Sequence, residues 1–354
     1  MRQKRALVSE ACDRCGRCAE VCPVEVPDSE GLGTRPAIYL PAPQAFTGRY
    51  VVDLEHCTRC GDCVATCPQE AINLEEGQEE HRLTVGSMVV ATGFSLFDPA
   101  GSRYEPWADV PGVITTVALE RLLSPDGPTQ GSFMLPGMET EPRDVAFVLC
   151  VGSREEEGNR YCSRVCCPTA LKQALELKEH LPDARIRIYY RDIRTTKKEW
   201  EALYNRARDA GILFLRGDVQ EIKAAPEGGV IIQAFDEIFQ APSEDRVDLA
   251  VLAVGMVAGN GAPLKEVLKL PVGPDSFFLE AHIKLKPLET VLDGIFLAGA
   301  CQGPKDLAES LTAGSGAAAK VLALFAHETI TLDGLVAAVN EDICVGCGEC
   351  AAAC

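Results

Sequence analysis

Residues 145–180 read VAFVLCVGSREEEGNRYCSRVCCPTALKQALELKEH. The stretch opens on an unbroken apolar run of strand length, VAFVLC. It closes on TALKQALELKEH, which with Leu181 keeps the spacing of an amphipathic helix that Pro182 ends. A strand leading into a helix is where a dinucleotide-binding fold carries its glycine loop. Here the connection holds Cys150, Cys162, Cys166 and Cys167 and no G-x-G-x-x-G. Four thiolates around a [4Fe–4S] cluster make an anionic group, which suits the electropositive start of a helix. Pro168 fits an early helical position, where no N–H partner is needed. The expectation is a cluster standing in place of a nicotinamide cofactor. A disulfide of Cys166 or Cys167 and plain buried thiols stay open as alternatives, although adjacent cysteines bridge poorly.

Outward from this unit the elements keep alternating. RIRIYY is a strand, KKEWEALYNRARDAG a helix ending at Gly211, ILFLRGDVQEI and GVIIQAF are strands, and VDLAVLAVGM is a buried one. Such βαβ alternation over 144–258 predicts an α/β domain with a largely parallel sheet. DGIFLAGA and LAESLTAGSGAAAKVLALFAHE follow within 259–327 as a strand and a small-residue helix. Upstream, residues 84–143 begin with a strand over Ser87–Ala91 that ends in Thr92-Gly93. Residues 98–143 read as a Pro- and Gly-rich connector with one short helix around TTVALERLLS.

The remaining cysteines sort by spacing. Cys12, Cys15, Cys18 and Cys22 form C-x2-C-x2-C-x3-C before Pro23, and Cys57, Cys60, Cys63 and Cys67 repeat it before Pro68. This is the bacterial ferredoxin signature for [4Fe–4S] clusters, in which the fourth cysteine ligates the other cluster of the pair. One cluster is therefore expected on Cys12, Cys15, Cys18 and Cys67, and the other on Cys57, Cys60, Cys63 and Cys22. Zinc sites usually show paired C-x2-C knuckles rather than triplets. Residues 1–83 are thus expected to be a two-cluster ferredoxin domain, with the Pro- and Gly-punctuated insert GLGTRPAIYLPAPQAFTGRYVVD between its motifs. Cys344, Cys347, Cys350 and Cys354 repeat the pattern within 328–354, where the sequence stops before a second half. That reads as a partial ferredoxin domain with a partial fourth site. Cys301 is left over.

The formal charge of −18 argues against nucleic acid or an anionic membrane as partner. No run approaches the ~18 apolar residues of a membrane span, and the N-terminus has no apolar core suggesting a signal peptide. Seventeen cysteines in a chain of this length, without a secretory look, point to metal or redox chemistry in the cytoplasm rather than to disulfides.

CVGSREEEGNRYCSRVCC, YYRDIR, EAHIKLKP and GIFLAGACQGPKD, flanked by ferredoxin motifs, resemble the A-type subunit of heterodisulfide reductase. The resemblance covers essentially the whole chain. It implies a thioredoxin-reductase-like flavoprotein core with an inserted ferredoxin domain, FAD and several [4Fe–4S] clusters. It implies electron transfer between a hydrogenase- or dehydrogenase-type donor and disulfide-reducing B and C subunits, with flavin-based bifurcation in many relatives. Two departures stand out. The family's N-terminal glycine-rich FAD segment is absent from this sequence, so the core is expected to be incomplete and FAD weak or absent in this chain alone. Family members read Met-Tyr after the double cysteine, where this chain has Pro168-Thr169.

By the same resemblance, VVATGF closes the first FAD segment, placing Thr92 and Gly93 near the cofactor. GIFLAGACQGPKD belongs to the second, placing Gly299, Ala300, Gln302, Gly303, Lys305 and Asp306 there. Unpaired N–H groups of the helix starting near Asp306 would stabilise reduced flavin, with Lys305 adding positive charge. A plain tight turn at Gly299 and Gly303 is the bland alternative. Cys301 reads equally as a flavin neighbour or a small buried residue. His56, His81, His180, His282 and His327 show no ligand spacing, and His56 is expected to be exposed. Glu155, Glu156 and Glu157 read as a solvated loop, and no residue is assigned a catalytic role. A polyferredoxin-like carrier that has lost flavin is the alternative function.

Overall fold

The computed structural model describes residues 5–27, 31–41, 48–74, 82–125, 127, 129, 131–135, 138, 140–259, 261–327, 329 and 337–353. His81 and Cys354 lie outside the described residues.

The decisive strand lies inside a seven-stranded sheet. Its strands are β1 (Val113–Thr115), β2 (Asp144–Val151), β3 (Arg185–Tyr190), β4 (Leu213–Ala224), β5 (Val230–Asp236), β6 (Ala241–Val247) and β7 (Leu249–Val254). Their order is β6-β5-β4-β3-β2-β7-β1. β4, β3, β2, β7 and β1 run parallel, while β5 and β6 extend β4 as an antiparallel meander. The unbroken apolar run of β2 follows from burial on both faces, as in parallel sheets generally. Val145, Phe147 and Leu149 pack on one side with the Cys166–His180 helix, and Ala146 and Val148 pack on the other with Tyr104 and Trp107.

Two sequence expectations need correction here. The 98–143 stretch is more than a connector: besides the Thr116–Leu123 helix it supplies a short helix, Glu105–Ala108, and strand β1. Three residues bounded by turns give too little periodicity to read. Strand β6, APSEDRV, is also an addition; Pro242, Glu244 and Arg246 are exposed on one face, while Asp245 on the other is partly buried and accepts from Arg187 and Tyr189.

In the cysteine-rich N-terminal part, Val51–Asp53 pairs antiparallel with Arg5–Leu7 and with Ile38–Tyr39. The short helices Arg17–Glu20 and Asp62–Thr66 each follow a left-handed glycine, Gly16 and Gly61. Both carry a motif cysteine, Cys18 and Cys63, into the small core of this part.

A separate two-stranded sheet pairs Met88–Val90 parallel with Ile295–Leu297. Parallel pairing puts the carboxyl ends of both strands on one side, so Thr92-Gly93 and the Gly299–Gln302 turn share that side. The long helix Leu307–Phe325 follows.

Candidate iron–sulfur and flavin sites

In the N-terminal part the cysteines line two cavities, and each mixes the two motifs. One lies among Cys12, Cys15, Cys18 and Cys67, with Val8, Tyr50 and Ile72 as apolar walls. The other lies among Cys57, Cys60, Cys63 and Cys22, walled by Ile38, Val52 and Leu74. Burial pushes the Cys18 thiol up to about 11, with Cys12 and Cys15 adding to it. Burial also raises Cys63, and there the neighbouring thiols are Cys57, Cys60 and Cys22. Each cavity thus gathers three consecutive cysteines and the last cysteine of the other motif, the donor set that a cubane accepts.

Backbone geometry repeats among the motifs. The residue two after the first cysteine is left-handed in each: Arg14 (φ 61°), Arg59 (φ 57°) and Gly346 (φ 69°). This turn lets the N–H of Arg59 donate to Cys57 Sγ at 3.4 Å. Ala71 N–H donates to Cys67 Sγ at 3.4 Å. Such donors stabilise thiolate and tune a bound cluster. In the C-terminal copy, Cys344, Cys347 and Cys350 are exposed.

The fourth set occupies the carboxyl end of β2. Cys150, one residue before the end of the strand, takes φ 66°, and Gly152 takes φ 70°. Cys166 and Cys167 open the Cys166–His180 helix, with Pro168 in its first turn. Burial drives Cys166 far up, and the thiols of Cys167, Cys150 and Cys162 push it the same way. Cys167 is raised to about 11 by burial, opposed by the Arg194 N–H and reinforced by Cys150 and Cys162. Cys150, Cys166 and Cys167 thus share one core, Cys162 lies near enough to act on all three, and there is no disulfide among them.

Cations and N–H groups surround this set. Arg154 Nη1 lies 3.9 Å from Cys150 Sγ. The N–H groups of Arg164 and Arg194 donate to Cys162 Sγ at 3.3 Å and to Cys167 Sγ at 3.5 Å. Arg154 and Arg194 both pair with Asp192, and Arg191 pairs with Asp218 and Glu155. None of these arginines stood out in the sequence. The signal was there: RDIR follows β3, and residues just past parallel strands meet at the sheet's carboxyl edge. Glu155 also departs from expectation. It is partly buried, accepting from the Tyr104 hydroxyl at 2.5 Å and from Arg191, whereas Glu156 and Glu157 are exposed. His56 is exposed as expected, and it pairs with Asp53 at 3.1 Å.

The residues expected near flavin divide. Ala300, Lys305 and Asp306 line a broad cleft shared with Val165, Pro168 and Thr169 of the cysteine-bearing helix start. Thr92, Gly93, Gly299, Gln302 and Gly303 are not among that cleft's lining. Gly93 and Gly303 both take left-handed φ, and a Cβ on either would meet open space, so a ligand can approach their backbone. The helix start carries a capping box. Asp306 accepts from Glu309 N–H at 2.8 Å, and Glu309 accepts from Asp306 N–H at 3.0 Å, so the helix caps itself. Lys305 turns its ammonium onto Gly299 O and Gln302 Oε1, at 3.0 and 2.8 Å. Cys301 is buried and donates to Val90 O and Ala298 O, within a core of Val90, Leu270, Phe278 and Leu297.

Comparison with known proteins agrees with the ferredoxin part of this picture. Residues 11–72 match the family described as a 4Fe-4S dicluster domain. The whole chain is 43% identical to the second A-type iron-sulfur subunit of CoB--CoM heterodisulfide reductase from Methanopyrus kandleri, over 55% of that protein. It is 36% identical to the A-type subunit of the H(2):CoB-CoM heterodisulfide,ferredoxin reductase of Methanothermobacter marburgensis, over 54% of that protein. The chain spans about half the length of these relatives. Among solved structures, the thioredoxin reductase of T. acidophilum superposes with a TM-score of 0.46 at 10% identity, covering 68% of this chain and 66% of that one. Among the described residues, no helix is long and apolar enough to cross a membrane.

Proposed function

The chain is related over its whole length to the A-type subunits of heterodisulfide reductases, and from that premise we propose that it is an electron-transferring iron–sulfur part of such an oxidoreductase. Its electrons pass between a hydrogenase- or dehydrogenase-type donor and disulfide-reducing partners of the B and C type, in the cytoplasm. The observation that carries the reading is the pair of cavities, each lined by three cysteines of one motif and the last of the other. Cys12, Cys15, Cys18 and Cys67 hold one [4Fe–4S] cluster, and Cys57, Cys60, Cys63 and Cys22 the second. Cys150, Cys162, Cys166 and Cys167 hold a third, and Cys344, Cys347, Cys350 and Cys354 belong to a further ferredoxin unit.

The third site is supported by converging thiols, N–H donors to two of them and a guanidinium beside a third. This chain's part there is to bind the metal through thiolates, to donate N–H groups to sulfur, and to surround the anionic group with arginines. FAD meets this chain at the turns after the two parallel strands, at Thr92, Gly93, Gly299, Ala300, Gln302, Gly303, Lys305 and Asp306, and is held weakly or not at all by this chain alone. When bound, a flavin supplies conversion between two-electron and one-electron steps. The glycines at 93 and 303 leave its approach clear, and Lys305 offers a cation from the turn.

The test is anaerobic purification followed by iron, flavin and absorbance measurements. Iron near 12 atoms per chain from these three sites, about four per cluster, supports the reading. Absorbance near ~450 nm that is released on denaturation is expected to be weak or absent in this chain alone. Tight stoichiometric FAD would contradict that, and stoichiometric zinc would overturn the scheme.

A further inference from the structure

Arg164 sits between two cysteines of the fourth set and reaches a different part of the molecule. Its φ of 64° is left-handed, as at Arg14 and Arg59. The equivalent position in the C-terminal motif is Gly346, which adopts this conformation without the strain a side chain brings. The turn alone therefore does not call for arginine. At its backbone end Arg164 donates its N–H to Cys162 Sγ at 3.3 Å. At its side-chain end, Nη1 donates to Pro304 O at 3.3 Å and Nη2 to Glu309 at 2.5 Å.

Pro304 lies within the 303–306 turn and Glu309 just beyond it. Glu309 forms the capping box with Asp306, and Asp306 also pairs with Lys197, the residue just ahead of the Lys198–Asp209 helix. Arg164 and Glu309 are 40% and 29% exposed, and a pair that open contributes little to global stability. Its consequence is positional: one residue fixes a thiol turn at one end and a glycine-containing turn at the other.

We propose that Arg164 is a positioning residue that couples the fourth thiol set to the 303–306 turn, so that loading the set with its cluster orders that turn. This rests on the reading of the four thiols as a cluster site. With the cluster bound, Cys162 is fixed, its Arg164 turn is fixed, and the guanidinium is held against Pro304 O and Glu309. Without it, the anchor for the guanidinium loosens.

The test compares the parent with Arg164→Gly, which keeps the left-handed turn and its N–H but removes the guanidinium. Both are reconstituted anaerobically, then followed by backbone hydrogen exchange over 304–311 and by an EPR-monitored redox titration. Arg164→Gly is expected to keep its iron, to exchange over 304–311 as fast as the cluster-stripped parent, and to show a lower midpoint potential at the fourth site, because Glu309 is left without its cation. Arg164→Lys is expected to bring the potential back toward the parent, and it carries the test should Arg164→Gly fail to load iron. Lys197→Ala is expected to speed exchange while leaving that potential in place. Unchanged exchange and potential in a cluster-loaded Arg164→Gly would overturn the inference alone. Unchanged iron in Cys162→Ser would instead remove the cluster reading beneath it.

Discussion

Cys67 lines one cavity with Cys12, although Cys63 is its nearest cysteine in sequence. The local cause is visible. The Asp62–Thr66 helix stops at Cys67, which takes an extended backbone (φ −76°, ψ 111°), and Pro68 disfavours helical conformation in the residue before it. Cys63 stays with the helix, while Cys67 leaves it for the other cavity.

Crossing has a direct genetic consequence. Cys22→Ala is expected to damage the cluster held by Cys57, Cys60 and Cys63 and to spare the one held by Cys12, Cys15 and Cys18. Loss of about four irons, with EPR assigning the surviving signal, checks this. Damage confined to the first motif's cluster would show uncrossed ligation.

Gly152 marks the tightest approach beside the fourth set. It takes φ 70°, and a Cβ there would lie 2.1 Å from Cγ of the Phe97 ring. Gly152→Ala combines left-handed strain with overpacking and is expected to cost roughly 2–5 kcal/mol. A fall in the denaturant midpoint, accompanied by poorer iron loading, is the expected result; a midpoint within error of the parent would contradict it.

Asp53 gives a pH-dependent expectation. Burial pushes its carboxyl up, but Arg35 at 3.0 Å and His56 outweigh this and hold it below the ordinary carboxylate range. A carboxyl lowered on folding contributes stability that is full above its unfolded pKa of ~3.9 and is lost as pH falls through the folded value. Asp53→Asn is expected to cost roughly 1–3 kcal/mol at neutral pH, less under acid. Anaerobic urea midpoints at neutral pH and at about pH 3 compare the two conditions. An equal parent–variant gap at both would contradict the account.

Much of this was legible in the residues. Spacing in a cysteine motif encodes which thiols can reach one metal group, so the mixing of Cys22 with Cys57 and of Cys67 with Cys12 could be read before the fold. The βα unit around Cys150 and Cys166 was legible because an apolar run beside an amphipathic one leaves few alternatives. Short elements were not: Val113–Thr115 becomes a strand only because Leu249–Val254 lies beside it. The arginines around the fourth set were hidden for the same reason. Arg154 follows one strand while Arg191 and Arg194 follow its neighbour, and only the parallel pairing of those strands brings the two loops together. At Asp306 the helix start was legible, but the Asp306–Glu309 box that occupies the N–H groups of those two residues was not.

The fourth cysteine set carries the central claim, and iron counting on Cys166→Ala/Cys167→Ala tests it most directly. Parent and variant, both reconstituted anaerobically, are assayed for iron, EPR signals and NAD(P)H oxidation. The expected result is loss of about four irons, intact signals from the two ferredoxin clusters, and no NAD(P)H oxidation by either protein. Unchanged iron in the variant, or robust NAD(P)H oxidation by the parent, would contradict a cluster in the place of a nicotinamide cofactor.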